Sequence, residues 1–234
     1  MAVMGYSSGM SDHRDISTAA DRQRWDQRYR DGAYAERLWP SAYLQHLVDE
    51  GITPAAGRAL DVACGRGRNS LYLASQGFAV DAVDVAPVAI AQAANSAVAQ
   101  GLRARWQCRD MLTATNPVPA QAYALIVMFR FVAPTLIPHL LEGLAPNGVL
   151  VVEEHLQWPQ SDSASIAGPL AGPSSDRFRV APEELRDQLL GASTSAGIEY
   201  DVLDQYEGLI AEATEDHPDA NAAVSRMCIR CRSQ

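Results

Sequence analysis

The sequence lacks the features that mark a membrane, secreted or nucleic-acid-binding protein. No apolar run approaches the roughly eighteen residues that a membrane span requires, and residues 1–15 lack the basic start and apolar core of a secretory signal. Positive charge is scarce, because 19 basic residues face 28 acidic ones and leave a net charge of −9. Such a surface repels a phosphate backbone. We therefore expect a cytoplasmic protein that acts on a small molecule and contacts neither nucleic acid nor a membrane; the oligomeric state stays open.

Cysteine is also scarce, with four residues in the chain. Cys228 and Cys231 have the spacing of half a zinc site, but no second pair of cysteines accompanies them. Both lie in an expected strand, where residues three apart point to opposite faces and cannot hold one metal ion. The sequence therefore predicts no metal site, and it predicts reduced cysteines, as is usual in the cytoplasm.

From residue 58 onward, the sequence alternates between the patterns of strands and helices. Expected strands cover 58–64, 79–84, 103–108, 122–129 and 148–154, with expected helices at 68–76, 87–100 and 134–145. The run 122–129 is apolar on both faces, as a buried central strand must be. A helix from Pro182 to about residue 190 precedes two late strands, 198–206 and 223–231, which are expected to pair antiparallel at the sheet edge. This pattern predicts an α/β domain built on a mostly parallel sheet.

The chain is expected to form one domain. Residues 1–20 are expected to form a mobile tail, because their first part is rich in Gly and Ser. Residues 21–234 would form the domain, which opens with a helical cap at 21–50. Residues 157–176 are rich in Ser, Pro and Gly and predict a long flexible loop, which in a compact domain is usually functional or disordered.

The most informative stretch is Asp61-Val62-Ala63-Cys64-Gly65-Arg66-Gly67, which joins an expected strand to an expected helix. Glycine has no Cβ, so a glycine-rich turn lets the backbone approach a ligand closely. Asp84 closes the next strand, 19 residues after Gly65, where a carboxylate can accept hydrogen bonds from ribose hydroxyls. The spacing therefore predicts a site for an adenosine-containing cofactor.

Two residues bear on which cofactor this is. A dinucleotide fold needs a third small residue at the position held by Ser70, and serine is small enough to leave that interpretation open. Asp61 would repel a diphosphate, whereas it suits a cofactor with an amino group and a sulfonium. A methyl donor is therefore favoured. A nicotinamide-dependent oxidoreductase and a non-catalytic cofactor-binding protein remain the alternatives, the latter because no unmistakable general base is present.

The same stretch resembles the acidic-x-Gly-x-Gly-x-Gly motif of class I S-adenosylmethionine-dependent methyltransferases, with Ala63 in place of the first glycine. Gly67-Arg68-Asn69 resembles the tellurite-resistance (TehB-like) branch, and Trp25-Asp26-Gln27-Arg28-Tyr29 is similar to the first helix of that branch and of thiopurine methyltransferases. The resemblance implies a Rossmann-like sheet of seven strands, mostly parallel, with helices on both faces, an antiparallel last strand and an amino-terminal helical cap. It also implies methyl transfer from S-adenosylmethionine to a small-molecule acceptor, with a thiol or a chalcogen oxyanion as the candidate acceptors.

Position by position, the resemblance implies which residues would bind the cofactor. Asp61 and the backbone of Ala63, Gly65 and Gly67 would lie beside its methionine part. Asp84 would accept hydrogen bonds from its ribose hydroxyls.

The adenine and sulfonium ends of the cofactor have their own implied contacts. Val85 would lie against adenine, Asp110 would accept from the adenine amino group, and Met111 would offer its backbone amide. Met128 and Phe129, at the end of the fourth strand, would lie beside the sulfonium. For Asp110 the alternative is a solvated loop carboxylate, and for Met128 it is core packing.

Five residues are candidates for the acceptor side of the site. Arg130, just past the fourth strand, would hold an anionic acceptor, or would face solvent as an ordinary loop arginine. His155 would act as a base, with a structural histidine as the alternative. Trp25, Tyr29 and Trp39 would close the pocket, unless they pack in the core. Methyl transfer is an in-line displacement that depends on alignment and exclusion of water, so a soft acceptor such as a thiolate needs little help from a base.

Overall fold

The fold is seen in a computed structural model that describes residues 19–35, 37–159, 168–212 and 220–232. Residues 1–18 of the predicted mobile tail and residues 160–167 of the predicted flexible loop lie outside the described residues. Within the described part, no helix has the length and apolar character needed to span a bilayer.

Among the described residues, seven strands form one sheet. The strands are β1 Arg58–Val62, β2 Ala79–Asp84, β3 Ala104–Cys108, β4 Tyr123–Phe129, β5 Leu144–His155, β6 Tyr200–Ala211 and β7 Asn221–Cys231. They lie in the order β3-β2-β1-β4-β5-β7-β6, and β7 runs antiparallel to both of its neighbours, β5 and β6, whereas the other neighbouring pairs are parallel. This confirms the α/β fold with a mostly parallel sheet and an antiparallel last strand. The late pair lies at the sheet edge, as expected, with β6 outermost and β7 between β5 and β6.

Six α-helices flank the sheet in the part of the chain that the structure describes. They are α1 Ala19–Arg30, α2 Ala42–Asp49, α3 Arg68–Ser75, α4 Pro87–Ala99, α5 Ile137–Gly143 and α6 Glu184–Ala196, with 3-10 turns at Pro134–Leu136 and Asp176–Phe178. Pro87 suits the first turn of α4, because an N–H there has no helical partner to lose. Helices α2, α3 and α4 pack on one face of the sheet, and α5 and α6 pack on the other.

Both faces of the sheet are buried because its central strands are apolar on both sides. Along β5, Val149 and Val151 point toward α2 and α3, whereas Leu150 and Val152 point toward α5 and α6. All four side chains are fully buried. The sheet is therefore the middle of three layers, and the ends of its strands remain available to form a site.

Helix α1 forms a cap over the carboxyl ends of the strands. The Asp26 side chain accepts a hydrogen bond at 3.0 Å from the backbone N–H of Val88, at the start of α4. Trp25 packs edge to face on Phe178, with ring centroids 6.4 Å apart. The cap is thereby joined to two separate parts of the chain.

Candidate functional site

A cavity of about 670 Å³ opens at the carboxyl ends of β1, β2, β4 and β5. This volume lies in the range of small-molecule and cofactor sites. In the sheet, β2 and β3 follow on one side of β1, whereas β4 and β5 follow on the other. The strand order therefore reverses direction at β1, and ligands of open parallel sheets bind at such a reversal. The cavity therefore occupies the position at which this kind of fold holds ligands, and α1 and residues 172–178 contribute to its walls.

The glycine-rich turn after β1 forms one wall of the cavity. Ala63, Gly65 and Gly67 have φ angles of 54°, 54° and 78°, in the left-handed region that favours glycine. A Cβ on Gly65 would come within 2.6 Å of the Tyr29 hydroxyl oxygen, so glycine is what lets the cap approach this closely. Gly67 does not line the cavity, and a Cβ there would come within 2.7 Å of Trp106. Gly67 is therefore required by packing beneath the turn.

Asp84 links the end of β2 to this turn. Its Oδ2 accepts a hydrogen bond from the N–H of Gly65 and its Oδ1 accepts one from the N–H of Ala86, both at 2.8 Å. Burial raises the pKa of the Asp84 carboxyl, and the backbone amides act against that rise. Each carboxylate oxygen has a second lone pair. Asp84, which lines the cavity, can therefore accept further hydrogen bonds from a ligand.

Asp61 is a buried carboxyl in the wall of the cavity. The hydroxyl of Ser70 donates to its Oδ2 at 2.5 Å. Burial raises the pKa of Asp61 to about 7, against the opposing effects of the Ser70 hydrogen bond and the positive charge of Arg68. A cationic group beside a carboxyl favours the ionised form. Asp61 is thus suited to receive a positive charge from a ligand.

Arg130 lies at the centre of an ion-pair network just past β4. Its Nε donates to Glu153 Oε1 at 2.9 Å and its Nη2 donates to Glu212 Oε2 at 2.7 Å. Its Nη1 donates to Nδ1 of His155 at 2.8 Å. On the far side, Glu153 Oε2 accepts from Nε of Arg226 in β7 at 2.7 Å. All three nitrogens of the Arg130 guanidinium are therefore engaged within the protein.

His155 ends β5 beside Arg130. Burial, followed by the charges of Arg130 and Arg179, lowers the pKa of His155 to about 2. The neutral imidazole accepts the hydrogen bond from Arg130 through Nδ1. Because a group this weakly basic takes up a proton poorly, the structure favours His155 as a partner that positions Arg130 over its predicted role as a base.

The structure brings most of the predicted site residues together. The predicted residues that line the cavity are Trp25, Tyr29, Asp61, Ala63, Gly65, Asp84, Val85, Asp110, Met111, Phe129, Arg130 and His155. Gly67, Met128 and Trp39 do not line it. Met128 is 1% exposed and packs in the core toward α5 and α6, because neighbouring strand residues face opposite sides. Trp39 is 60% exposed to solvent, so the positions of these three residues do not support the predicted ligand contacts.

The cavity also contains residues that the sequence analysis missed. They include the arginines Arg24, Arg28, Arg37, Arg68, Arg109 and Arg177, the aromatic residues Tyr34, Phe131 and Phe178, and the carboxylate Glu212. Arg68 had a usable signal, because it directly follows the glycine-rich turn. Phe178 and Glu212 come from distant segments without any motif, and only the tertiary fold brings them to the cavity.

Residues 59–148 match a family model described as a methyltransferase domain. This stretch is similar to a methyltransferase domain. The match begins in β1, contains the glycine-rich turn and Asp84, and ends within β5. The resemblance seen in the sequence is thereby confirmed.

A curated relative of the chain is hemagglutinin 1 of Eikenella corrodens, which is 30% identical to it over 92 residues. The match covers 39% of the chain and 31% of the relative. The chain therefore spans less than a third of the length of that protein.

Solved structures share the fold of the methyltransferase domain at low sequence identity. TehB from Haemophilus influenzae has a TM-score of 0.60 at 20% identity, over 85% of this chain and 66% of its own. An S-adenosylmethionine-dependent methyltransferase from Clostridium acetobutylicum has a TM-score of 0.60 at 13% identity, over 90% of this chain and 100% of its own. Phosphoethanolamine N-methyltransferase 2 from Haemonchus contortus, in complex with S-adenosyl-L-methionine, has a TM-score of 0.55 at 12% identity, over 84% and 54%. The chain therefore shares its fold with these methyltransferases.

Proposed function

We propose that this chain is an S-adenosylmethionine-dependent methyltransferase that acts on a small-molecule acceptor. The observation that carries the proposal is the link between Asp84 and the amide of Gly65, at 2.8 Å, in the cavity of a methyltransferase domain. This link places a carboxylate beside a backbone that a ligand can approach closely. An adenosine-containing methyl donor needs both features, the carboxylate for its ribose and the open backbone for its methionine part.

The charges along the cavity fit such a donor. Asp61 forms no ion pair with any residue that the structure describes, so a cation from the donor would meet an open carboxyl. In this proposal Ala63 and Gly65 lie beside the methionine part, and Asp84 accepts from the ribose hydroxyls. The same arrangement opposes a diphosphate, because Asp61 would repel it.

Adenine and the sulfonium have separate walls in this proposal. Val85, Asp110 and Met111 line the cavity beyond β2 and β3 and would enclose adenine. The side chain of Asp110 accepts a hydrogen bond from the N–H of Leu112 at 2.9 Å, which holds its carboxylate in place. Phe129, at the end of β4, would lie beside the sulfonium.

The residues of the chain promote the reaction by alignment and by exclusion of water. When bound, S-adenosylmethionine supplies an activated methyl group. Trp25 and Tyr29 of the cap line the cavity, and Trp25 packs on Phe178 across it. Residues that cover a cavity in this way keep water from the reacting atoms and hold two reactants in line.

A soft nucleophile is the acceptor that this site suits best, and a thiol or a chalcogen oxyanion is the proposed class. His155 is only weakly basic, because burial and the charge of Arg130 lower its pKa to about 2. Acceptors that need little help from a base are therefore favoured over amines and alcohols. The cytoplasmic location expected from the sequence stays a prediction.

Calorimetric titration with S-adenosylhomocysteine and, separately, with NADH tests the proposed cofactor. We expect saturable binding of S-adenosylhomocysteine and none of NADH, and the reverse result would favour the oxidoreductase. Radiolabelled S-adenosylmethionine with thiols, selenite, tellurite and small phenols then tests catalysis. Cofactor binding without methyl incorporation into any of these would favour a non-catalytic binding protein.

A further inference from the structure

Arg68 is an arginine in the cavity wall that has no partner among the described residues. It is the first residue of α3, directly after the glycine-rich turn, and it is partly buried. Its guanidinium forms no hydrogen bond or ion pair with any residue that the structure describes. Burial lowers the pKa of Arg68, the charges of Arg37 and Arg130 lower it further, and the charges of Glu153 and Glu212 oppose this without forming a direct ion pair with Arg68. A cation in such surroundings lacks the compensation that buried charges require.

The charges around Arg68 do not balance. We define the arginine cluster as Arg130, its ion-pair partners Glu153 and Glu212, their partners Arg226 and Arg37, and Arg68. Within this cluster, four positive and two negative side chains leave an excess of two positive charges, in a chain whose net charge is −9. The carboxyl of Asp61, outside the cluster, also feels the charge of Arg68, but the proposed function assigns that carboxyl to the cation of the donor. Side-chain exposure in the ion-paired part of the cluster ranges from 2% for Glu153 to 31% for Arg37, so water compensates this excess only in part. An anionic ligand would complete the balance.

Arg68 is the member of the cluster that is free to bind it. All three nitrogens of Arg130 are engaged, and Arg37 pairs with Glu212 at 3.1 Å. Arginine presents a planar fork that binds two oxygens of a carboxylate or similar anion at once. The chain has no lysine, since all 19 of its basic residues are arginines. Within the arginine cluster, Arg68 therefore offers the open fork for an anion.

Aromatic residues also line the cavity. Tyr34, Phe131 and Phe178 line it together with Arg37, Arg68 and Arg130 of the arginine cluster, and the Arg37 guanidinium lies over the Tyr34 ring at 5.5 Å. An inorganic oxyanion is too small to cover several rings, whereas an organic molecule can contact them and gain from burial of apolar surface. The cavity therefore fits a ligand with an apolar body and one anionic group.

We propose that Arg68 binds the anionic group of the methyl acceptor, and that the acceptor is an organic anion with an apolar body rather than an inorganic oxyanion. This inference rests on the proposed function and narrows its substrate class. Arg130 directly follows Phe129, the residue proposed to lie beside the sulfonium, so the arginine cluster lies next to the expected point of methyl transfer. The anionic group bound by Arg68 would set the orientation of the acceptor atom.

The test compares benzoate with benzamide, which have the same ring and nearly the same shape but differ in charge. Each is titrated into wild-type protein, Arg68→Met and Arg103→Met, all saturated with S-adenosylhomocysteine. Arg103 is exposed and lies between α4 and β3, so Arg103→Met controls for the loss of one charge. We expect wild-type protein to bind benzoate at least tenfold more tightly than benzamide. Arg68→Met should lose this preference, and Arg103→Met should keep it.

Three outcomes would overturn the inference. The first is equal affinity for benzoate and benzamide in wild-type protein, or an unchanged preference in Arg68→Met. The second is selenite binding as tight as benzoate binding, which would remove the need for an apolar body. The third is weaker binding of S-adenosylhomocysteine by Arg68→Met with unchanged binding of 5′-methylthioadenosine, which lacks the carboxylate. That pattern would make the donor's own carboxylate the partner of Arg68.

Further controls separate folding defects and failure of the proposed function from failure of this inference. Circular dichroism checks that Arg68→Met is folded, and Arg68→Gln provides a second neutral variant for the same titrations. If wild-type protein does not bind S-adenosylhomocysteine, the proposed function fails. If it binds S-adenosylhomocysteine but shows no preference for benzoate, only the present inference fails.

Discussion

Replacing Asp84 with asparagine should weaken the binding of S-adenosylhomocysteine by about 10- to 100-fold. Both carboxylate oxygens of Asp84 accept backbone amides, from Gly65 and Ala86, at 2.8 Å. Asparagine keeps one acceptor oxygen, and its NH2 group would face either one of these amides or a ribose hydroxyl. Loss of one hydrogen bond to a charged group costs about 1.5–3 kcal/mol, and each 1.4 kcal/mol is about tenfold in affinity.

Asp81→Asn is the matched control for this prediction. Asp81 lies three residues earlier on the same strand and is also buried, but its carboxylate accepts from Arg58 and Tyr123, away from the cavity. Calorimetry should show unchanged affinity for S-adenosylhomocysteine in Asp81→Asn, even if its melting temperature falls. The reasoning would be refuted if Asp84→Asn stayed folded and bound S-adenosylhomocysteine within twofold of wild type.

Three further predictions concern the buried charges. Glu153→Gln should lower the free energy of unfolding by about 3–5 kcal/mol, because Arg130 and Arg226 both lose a charged partner. Urea denaturation measures this change, and a loss below about 1 kcal/mol would contradict the prediction. Burial raises the pKa of Asp61 to about 7. The protonated Asp61 carboxyl therefore stabilises the folded state below about pH 4, and this stabilisation is lost as the pH rises to about 7. Asp61→Asn should therefore gain stability relative to wild type between about pH 5 and pH 8 in urea denaturation, and a constant difference would refute this. The imidazole of His155, with a pKa of about 2, should show no NMR titration between about pH 5 and pH 8, and a midpoint near 6.5 would be the contrary result.

The order of strands and helices could be predicted from the sequence because local patterns carry it. Helix α4 begins at Pro87 and β2 covers Ala79–Asp84, as expected. The largest differences occur where pairing partners lie far apart in the chain. Strand β5 was expected from residue 148 but begins at Leu144, which pairs with Tyr123 before a register shift. Residues 144–148 therefore form an irregular start to this strand.

The cofactor side of the candidate site could be predicted because its residues follow the glycine-rich turn or the next strand end. Met128 shows the limit of this prediction. The resemblance assigned both Met128 and Phe129 to the sulfonium, but neighbouring residues of a strand point to opposite faces of the sheet. The arginine cluster could not be predicted, because its members come from six separate segments. For example, Glu212 reaches Arg130, and Arg226 reaches Glu153, only through the pairing of β6 and β7 with the rest of the sheet.

The inner position of β7 has a consequence for how a newly made chain gains its function. Arg226 leaves the ribosome 73 residues after Glu153, its ion-pair partner in β5. Until β7 emerges, one edge of β5 has no neighbouring strand. The carboxylate of Glu153 then has Arg130 but not Arg226 as an ion-pair partner. The sheet and the ion-pair network around Arg130 can therefore be completed only after the last strand has been synthesised.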